Sequence, residues 1–174
     1  MEKTKIAVFD FDGTLMATPL PDTGKDLYKK NTGKDWPHKG WFSKPESLCM
    51  KSFDINPIKD VLEAYQSEKE KGSILVMLTG RMSRLEPHVK AILDAHDMKF
   101  EHYLYNTGGD TKDVKLASLD KLLNDYPSVV EVEMWDDRLI HIPFFEEWGK
   151  VNCLSGRLKD FKINVVPSTQ TELW

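Results

Sequence analysis

Short apolar runs, rich in β-branched and aromatic residues, recur along the chain between stretches with helical periodicity. Runs of this length and composition are typical of β-strands. The pattern therefore predicts five strands joined mainly by helices. The predicted strands lie at residues 5–9, 73–78, 100–105, 129–135 and 162–166.

Helical periodicity and helix-terminating residues occupy most of the intervals between these strands. Apolar residues three and four positions apart mark the buried face of each helix, and Asn, Ser, Pro and Gly mark the ends. Four helices are predicted: one from Asn56 as N-cap and Pro57 to Gly72, one that opens with the capping box of Ser83 and Glu86, and two that end at Pro127 and Gly149.

The alternation of strands and helices favours right-handed crossovers onto a mainly parallel sheet. We therefore predict an α/β fold, a Rossmann-like three-layer sandwich. Residues 16–55 interrupt the alternation, because they are rich in Pro, Gly, Lys and aromatic residues and are too long for an ordinary connection. We expect them to form a small lid insertion, with no large cap, in a single domain of residues 1–174.

Polar residues follow three of the predicted strands. In a parallel sheet the carboxyl ends of the strands share one edge, which is where ligands bind in open α/β folds. Three or four carboxylates brought together there repel one another, so the sequence predicts a divalent, oxygen-binding cation, Mg²⁺. The residues are Asp10 and Asp12 after the first strand, Thr79, Gly80 and Arg81 after the second, and Asp136 and Asp137 after the fourth.

Composition narrows the class of protein. A length of 174 residues suits one domain, and a net charge of -4 argues against coating nucleic acid or anionic membrane with the whole surface. The longest apolar run, ILVML, is far too short to span a membrane, and the charged start lacks a signal-peptide pattern. We therefore expect a cytoplasmic protein with no membrane association and no obligate protein partner. Cys49 and Cys153 form no disulfide or metal pattern.

Four motifs, in this order, resemble the haloacid dehalogenase (HAD) superfamily of phosphotransferases. They are DFDGT at residues 10–14, Thr79 after a strand, a lysine that opens a later helix, and WDD at residues 135–137. Within that superfamily the chain resembles the Swiss Army Knife RNA repair-like branch. That likeness rests on TKDVKLASLDKLL at 111–123, LTGR at 78–81 and GWFSKPESL at 40–48, although Val114 and Ser118 stand where the branch pattern has Phe.

The resemblance implies a phosphohydrolase that acts through an aspartyl phosphate. Asp10 would be the nucleophile, and Asp12 the general acid to the leaving oxygen and then the general base to water. Thr79 and Gly80 would hold the phosphoryl oxygens.

The resemblance also selects among three lysines of the later helix. It places the catalytic role on Lys115 rather than on Lys112 or Lys121. The Mg²⁺ ligands that it implies are Asp10, the main-chain carbonyl of Asp12, Asp136, and Asp137 either directly or through water.

The substrate is left open by these motifs. Residues 24–51 hold seven lysines against three acidic residues, a balance of +4, with four aromatic residues among them. Such a segment could bind a phosphorylated nucleic-acid end through residues such as Lys39 and Trp41, or it could be a solvated lid whose aromatic residues pack on the core. Outside this segment, Arg81, Arg84 and Arg138 could each contact the phosphate of a substrate or pair with a neighbouring carboxylate. The alternatives are a small-molecule phosphatase such as a nucleotidase and, from another class, an inactive phosphate-binding module.

Overall fold

A computed structural model describes residues 1–167, so the last seven residues of the predicted domain, 168–174, lie outside the described part. In the described part, five parallel strands form one sheet in the order β3-β2-β1-β4-β5. This confirms the predicted α/β fold with a parallel sheet. The strands are β1 (Lys5–Phe9), β2 (Ile74–Met82), β3 (His102–Asn106), β4 (Glu131–Asp136) and β5 (Asp160–Val165).

Among the residues that the structure describes, five α-helices accompany the sheet, one more than the sequence pattern predicts. Within residues 1–167 no helix is both long enough and apolar enough to cross a membrane. The helices are α1 (Pro21–Thr32), α2 (Lys59–Lys71), α3 (Glu86–Ala95), α4 (Thr111–Asp125) and α5 (Ile142–Leu154).

Several predicted helix ends are wrong by a few residues. The N-cap of α2 is Ile58 rather than Asn56, and Ser83 lies in a 3₁₀ turn that precedes α3 without a side-chain capping bond. α5 continues through Gly149, where a Cβ would lie 2.1 Å from a carbon of the Phe161 ring. This glycine allows close packing of helix against strand instead of ending the helix. Gly72, by contrast, does end α2, with a φ of +79°.

The sheet lies between two helical layers. Along β1, Ile6 and Val8 belong to one apolar cluster, and Ala7 and Phe9 to another. The first cluster includes the buried faces of α4 and α5, and the second those of α2 and α3. Burial on both faces explains why β1 from Ile6 to Phe9 and β2 from Ile74 to Leu78 are continuously apolar. β5, at the edge of the sheet, alternates polar and apolar residues instead.

The segment 16–55 is more regular than predicted. It contains α1 and a 3₁₀ turn at Pro45–Leu48, and several of its apolar side chains join the same cluster as α2 and α3. Trp41 is one of them, 4% exposed, with its indole N–H donating to the Pro19 carbonyl. We call residues 16–55 the insert; it packs as part of the core on one face of the sheet.

The strand order reverses at the centre of the sheet. From β1 the chain moves through β2 to β3 on one side, and then crosses to β4 and β5 on the other. The carboxyl ends of β1 and β4 therefore flank the switch point, where ligands bind in folds of this kind. Asp10 and Asp136 lie at these two ends.

Candidate active site

Three carboxylates meet at the switch point. Asp10 directly follows β1, Asp136 is the last residue of β4, and Asp137 comes next. Oxygens of the three side chains lie within 4.8 Å of one another, and all three residues are buried. Gly13, with a φ of +68°, lets the chain turn sharply after β1. The hydroxyl oxygen of Thr14 then lies 3.3 Å from Asp10 Oδ2 and 3.4 Å from Asp137 Oδ1.

Lys115 joins this cluster from the first turns of α4. Its ammonium lies 2.9 Å from Asp10 Oδ1 and 2.8 Å from Asp136 Oδ2, and the residue is only 3% exposed. Lys121 pairs instead with Asp125 on the surface, and Lys112 lies over the Phe144 ring. Of the three lysines considered from the sequence, Lys115 is thus the one that the fold brings to Asp10.

Burial dominates the electrostatics of the cluster. Burial and the neighbouring charge of Asp136 raise the pKa of Asp10 well above its usual value, in spite of the nearby ammonium. Burial likewise raises the pKa of Asp137 to about 6. Burial alone would lower the pKa of Lys115, but Asp10 and Asp136 more than compensate and raise it. One ammonium therefore does not neutralise three carboxylates.

The carboxylate of Asp12 points to a different set of partners. It accepts two hydrogen bonds from the Arg81 guanidinium, at 2.9 and 2.7 Å, and a third from the Thr18 hydroxyl at 2.7 Å. Burial alone would raise the pKa of Asp12, but the charge and hydrogen bonds of Arg81 outweigh it and lower the pKa. Asp12 is thus held ionised and in a fixed orientation, apart from the other three carboxylates.

Arg81 also fastens the insert to the site. The same guanidinium donates to the Phe42 carbonyl and to the Ser47 hydroxyl, both at 2.7 Å, and lies 5.1 Å from the centroid of the Phe42 ring. Arg81 is 3% exposed. Arg81 therefore lies between Asp12 and the insert. It pairs with a carboxylate, which is one of the two roles that the sequence left open for it.

Thr79 and Gly80 lie within β2, which runs four residues further than predicted. The pairing of β2 with β3 shifts register between Leu78 and Met82, an irregularity that re-aims the residues within it. Thr79 is 1% exposed, and its hydroxyl accepts from the Arg81 backbone N–H, which leaves the hydroxyl proton to be donated. Gly80 faces Thr111 so closely that a Cβ would lie 2.5 Å from the Thr111 methyl group.

A cavity of about 340 Å³ lies at this edge of the sheet, and Gly80 and Arg81 line it, whereas Thr79 and Asp136 do not. Asp10, Asp12, Lys115 and Asp137 line it. Further residues also line the cavity, and two of them, Met82 and Asn106, were not named in the sequence analysis, although the strand-end argument applied to β3 would have found Asn106. These further residues are Phe42, Ser43, Met82, Asn106, Thr111 and Arg138.

Two predicted substrate contacts lie away from the cavity. Lys39 is exposed on the insert and does not line the cavity. Stacking of a base on Trp41 is one alternative from the sequence, and the structure contradicts it: the ring packs against Gly24, Trp36 and Phe53. Its neighbour Phe42 is the aromatic residue of the insert that reaches the cavity.

The parallel sheet and the polar set at its carboxyl edge define a hydrolase domain of the HAD type. The family model for HAD domain family 1 in Swiss Army Knife RNA repair proteins matches residues 27–173, and the chain belongs to this family. This match confirms the resemblance predicted from the sequence. It also supports the predicted enzyme class, an HAD-type phosphomonoesterase. Asp10 and Asp12 lie before the matched residues, so their assignment to the site depends on the DFDGT motif and on the geometry described above.

Individual proteins are also similar to this chain. Uncharacterized protein YMR265C of Saccharomyces cerevisiae is 28% identical over 193 residues, which cover 97% of this chain and 41% of that protein. A chain of the Pnkp1/Rnl/Hen1 complex is similar with a TM-score of 0.55 and 16% identity, over 95% of this chain and 47% of that one. Phosphoserine phosphatase, solved as a phospho-aspartyl intermediate analogue, is similar with a TM-score of 0.52 and 16% identity, over 99% of this chain and 98% of that one. The chain spans less than half of the curated relative.

Proposed function

We propose that this domain is a Mg²⁺-dependent phosphomonoesterase that acts through an aspartyl phosphate on Asp10. The observation that carries the proposal is the buried cluster of Asp10, Asp136 and Asp137 bridged by Lys115, with Asp12 held separately at the same cavity. A nucleophile, an acid-base group and a cation site are the parts that such a reaction needs.

The cluster fits a divalent cation. Three carboxylates and one ammonium leave a formal charge of about -2 when all are ionised, the value that a dication neutralises. Asp137 Oδ2 is buried and has no hydrogen-bond partner among the described residues, so it is available as a ligand. Asp12 would contribute its main-chain carbonyl, because its carboxylate is engaged by Arg81. The ion supplies charge stabilisation for an anionic phosphate next to an anionic nucleophile.

The reaction proceeds in two displacements. Asp10 attacks phosphorus, the bond from phosphorus to the leaving oxygen breaks, and Asp12 gives that oxygen a proton. Water then attacks the aspartyl phosphate, Asp12 takes the proton of the water, and inorganic phosphate and free Asp10 are released. Lys115 holds Asp10 in place through both steps, and Gly80 and Thr79 accommodate the phosphoryl oxygens.

Of the two roles of Asp12, general acid and general base, its pairing with Arg81 favours the general base. An ionised Asp12 is ready to accept the proton of the attacking water, but it must gain a proton before it can donate one to a leaving group. Entry of substrate beside Phe42 would loosen the hydrogen bonds of Arg81, which also holds the insert there. The insert and the protonation of Asp12 are thereby linked.

We further propose that the substrate is a phosphorylated nucleic-acid end. The support is the family, whose members are HAD domains of RNA repair proteins, together with the local charge of +4 over residues 24–51. A base does not stack on Trp41 in this proposal, since Trp41 is buried. Phe42 takes its place at the mouth of the cavity.

A turnover panel tests both proposals. Phosphate release with Mg²⁺ should be fastest, by kcat/KM, for 3′- or 5′-phosphorylated oligonucleotides, and it should fall steeply between low and moderate salt because lysines contact the backbone. Nucleotides, sugar phosphates and phosphopeptides are the comparison substrates. Equal turnover of mononucleotides, without added salt dependence, would favour the nucleotidase alternative. Binding without release from any substrate would favour the inactive module.

Mg²⁺ should stabilise the fold through the cluster. At a concentration about 100 times its Kd, the ion adds about 2.7 kcal/mol, which raises the melting temperature by about 5–10 °C in a domain of this size. Asp136→Ala should abolish the shift and the turnover. Glu131→Ala, an exposed position at the other end of β4, is the matched control and should keep both. A full thermal shift in Asp136→Ala would place the ion elsewhere.

A further inference from the structure

A second cleft lies beside the catalytic cavity, between the insert and the 3₁₀ turn that precedes α3. Its volume is about 280 Å³. Ser43 lines both the cleft and the catalytic cavity, so the two are adjacent. The polar residues that line the cleft are His38, Ser43, Lys44, Glu46, Arg84 and His88.

The charge in this cleft is predominantly basic. Among the described residues that line it, the one carboxylate is that of Glu46, which lies against His38 with Oε2 and Nε2 3.0 Å apart. Within residues 1–167 neither Lys44 nor Arg84 forms an ion pair. Arg84 donates one hydrogen bond, to the Ser43 carbonyl at 3.0 Å, which positions the guanidinium and leaves further N–H groups to bind a ligand.

We propose that this cleft is a second phosphate subsite, which binds the phosphodiester next to the terminal phosphate of an oligonucleotide whose end lies in the catalytic cavity. The inference rests on the proposed function and specifies its substrate. Lys44 supplies a positive charge, and Arg84 a planar set of donors suited to phosphate oxygens. Ser43 lies where the chain of the substrate would pass from one site to the other.

The subsite explains how one domain can prefer an oligonucleotide to a mononucleotide. A mononucleotide or an aryl phosphate has a group for the catalytic cavity but none for the cleft. An oligonucleotide fills both, and charge-assisted hydrogen bonds in the cleft add to its affinity. The proposal therefore predicts that loss of the cleft charges affects oligonucleotides selectively.

The test is the double variant Lys44→Gln/Arg84→Gln. It should lower kcat/KM for a terminally phosphorylated trinucleotide by at least about tenfold, since hydrogen bonds to charged groups are lost. The turnover of p-nitrophenyl phosphate and of a mononucleotide should stay within about twofold of wild type. The slope of log kcat/KM against log salt should become shallower by about 1.4, for two contacts to a single strand.

Lys69→Gln/Lys150→Gln is the matched control. It removes the same two charges at exposed positions that line neither cavity, and it should leave all substrates unaffected. Equal loss for the trinucleotide and the aryl phosphate, or no loss for either, would overturn the subsite. So would selective loss for a phosphopeptide.

A binding measurement separates failure of the subsite from failure of the proposed function. If wild type releases no phosphate from any substrate, the proposed hydrolysis fails, but fluorescence anisotropy with the same labelled trinucleotide still reports on the cleft. Binding should then weaken in Lys44→Gln/Arg84→Gln and not in the control. Unchanged binding would overturn the subsite independently of catalysis.

Discussion

Asp10→Asn should abolish phosphate release while the protein remains folded. The amide has nearly the shape of the carboxylate, but it is not a nucleophile and is a poorer ligand for a cation. We expect kcat to fall by at least about a thousandfold, as when the nucleophile of other covalent catalysts is removed. The measurement is phosphate release with Mg²⁺, alongside the melting temperature of the same preparation.

The fold of Asp10→Asn should tolerate the change. The substitution removes one of three mutually repelling buried carboxylates, and Lys115 keeps Asp136 as a partner. Without Mg²⁺ the variant should therefore be at least as stable as wild type. Asp94→Asn, on the surface of α3, is the matched control and should keep full turnover. Wild-type release of phosphate by a folded Asp10→Asn protein would rule out Asp10 as the nucleophile.

The regular part of the fold was predictable because its pattern is local. All five strands were found within a few residues, since each is a short segment rich in apolar or aromatic residues. α1 was missed because Gly24 and few apolar residues argue against a helix there. In the structure Gly24 faces the Trp41 ring, and a Cβ would lie 2.3 Å from it. The helix packs against a residue outside its own segment, and periodicity within the helix does not reveal such a contact.

The candidate site was predictable to the extent that it follows the strand ends. Asp10, Asp136 and Asp137 converge because parallel strands end at one edge of the sheet. The pairing of Asp12 with Arg81 depends on how the insert packs, and composition alone does not reveal this. The same is true of Trp41 and Phe42, which are adjacent in sequence but lie in the core and at the cavity respectively.

Lys115→Met should be the most destabilising change at the site. Met approximates the length of the side chain but leaves Asp10 and Asp136 without their shared cation in a buried position. Removing one partner of a buried ion pair typically costs about 3–5 kcal/mol, and we expect that loss in the free energy of unfolding when Mg²⁺ is chelated. Turnover should fall by at least about a hundredfold, because Lys115 also holds the nucleophile in place.

Mg²⁺ should restore part of the stability of Lys115→Met but not its turnover. An added dication offsets the carboxylate repulsion that the lost ammonium leaves behind, so the thermal shift on adding Mg²⁺ should exceed that of wild type. Lys121→Met, on the exposed face of the same helix, breaks a surface pair with Asp125 and should cost about 0.3–0.5 kcal/mol. If chelated Lys115→Met is as stable as Lys121→Met, Lys115 does not compensate the charge of the cluster. Denaturant unfolding with and without chelator, on both variants, distinguishes these outcomes.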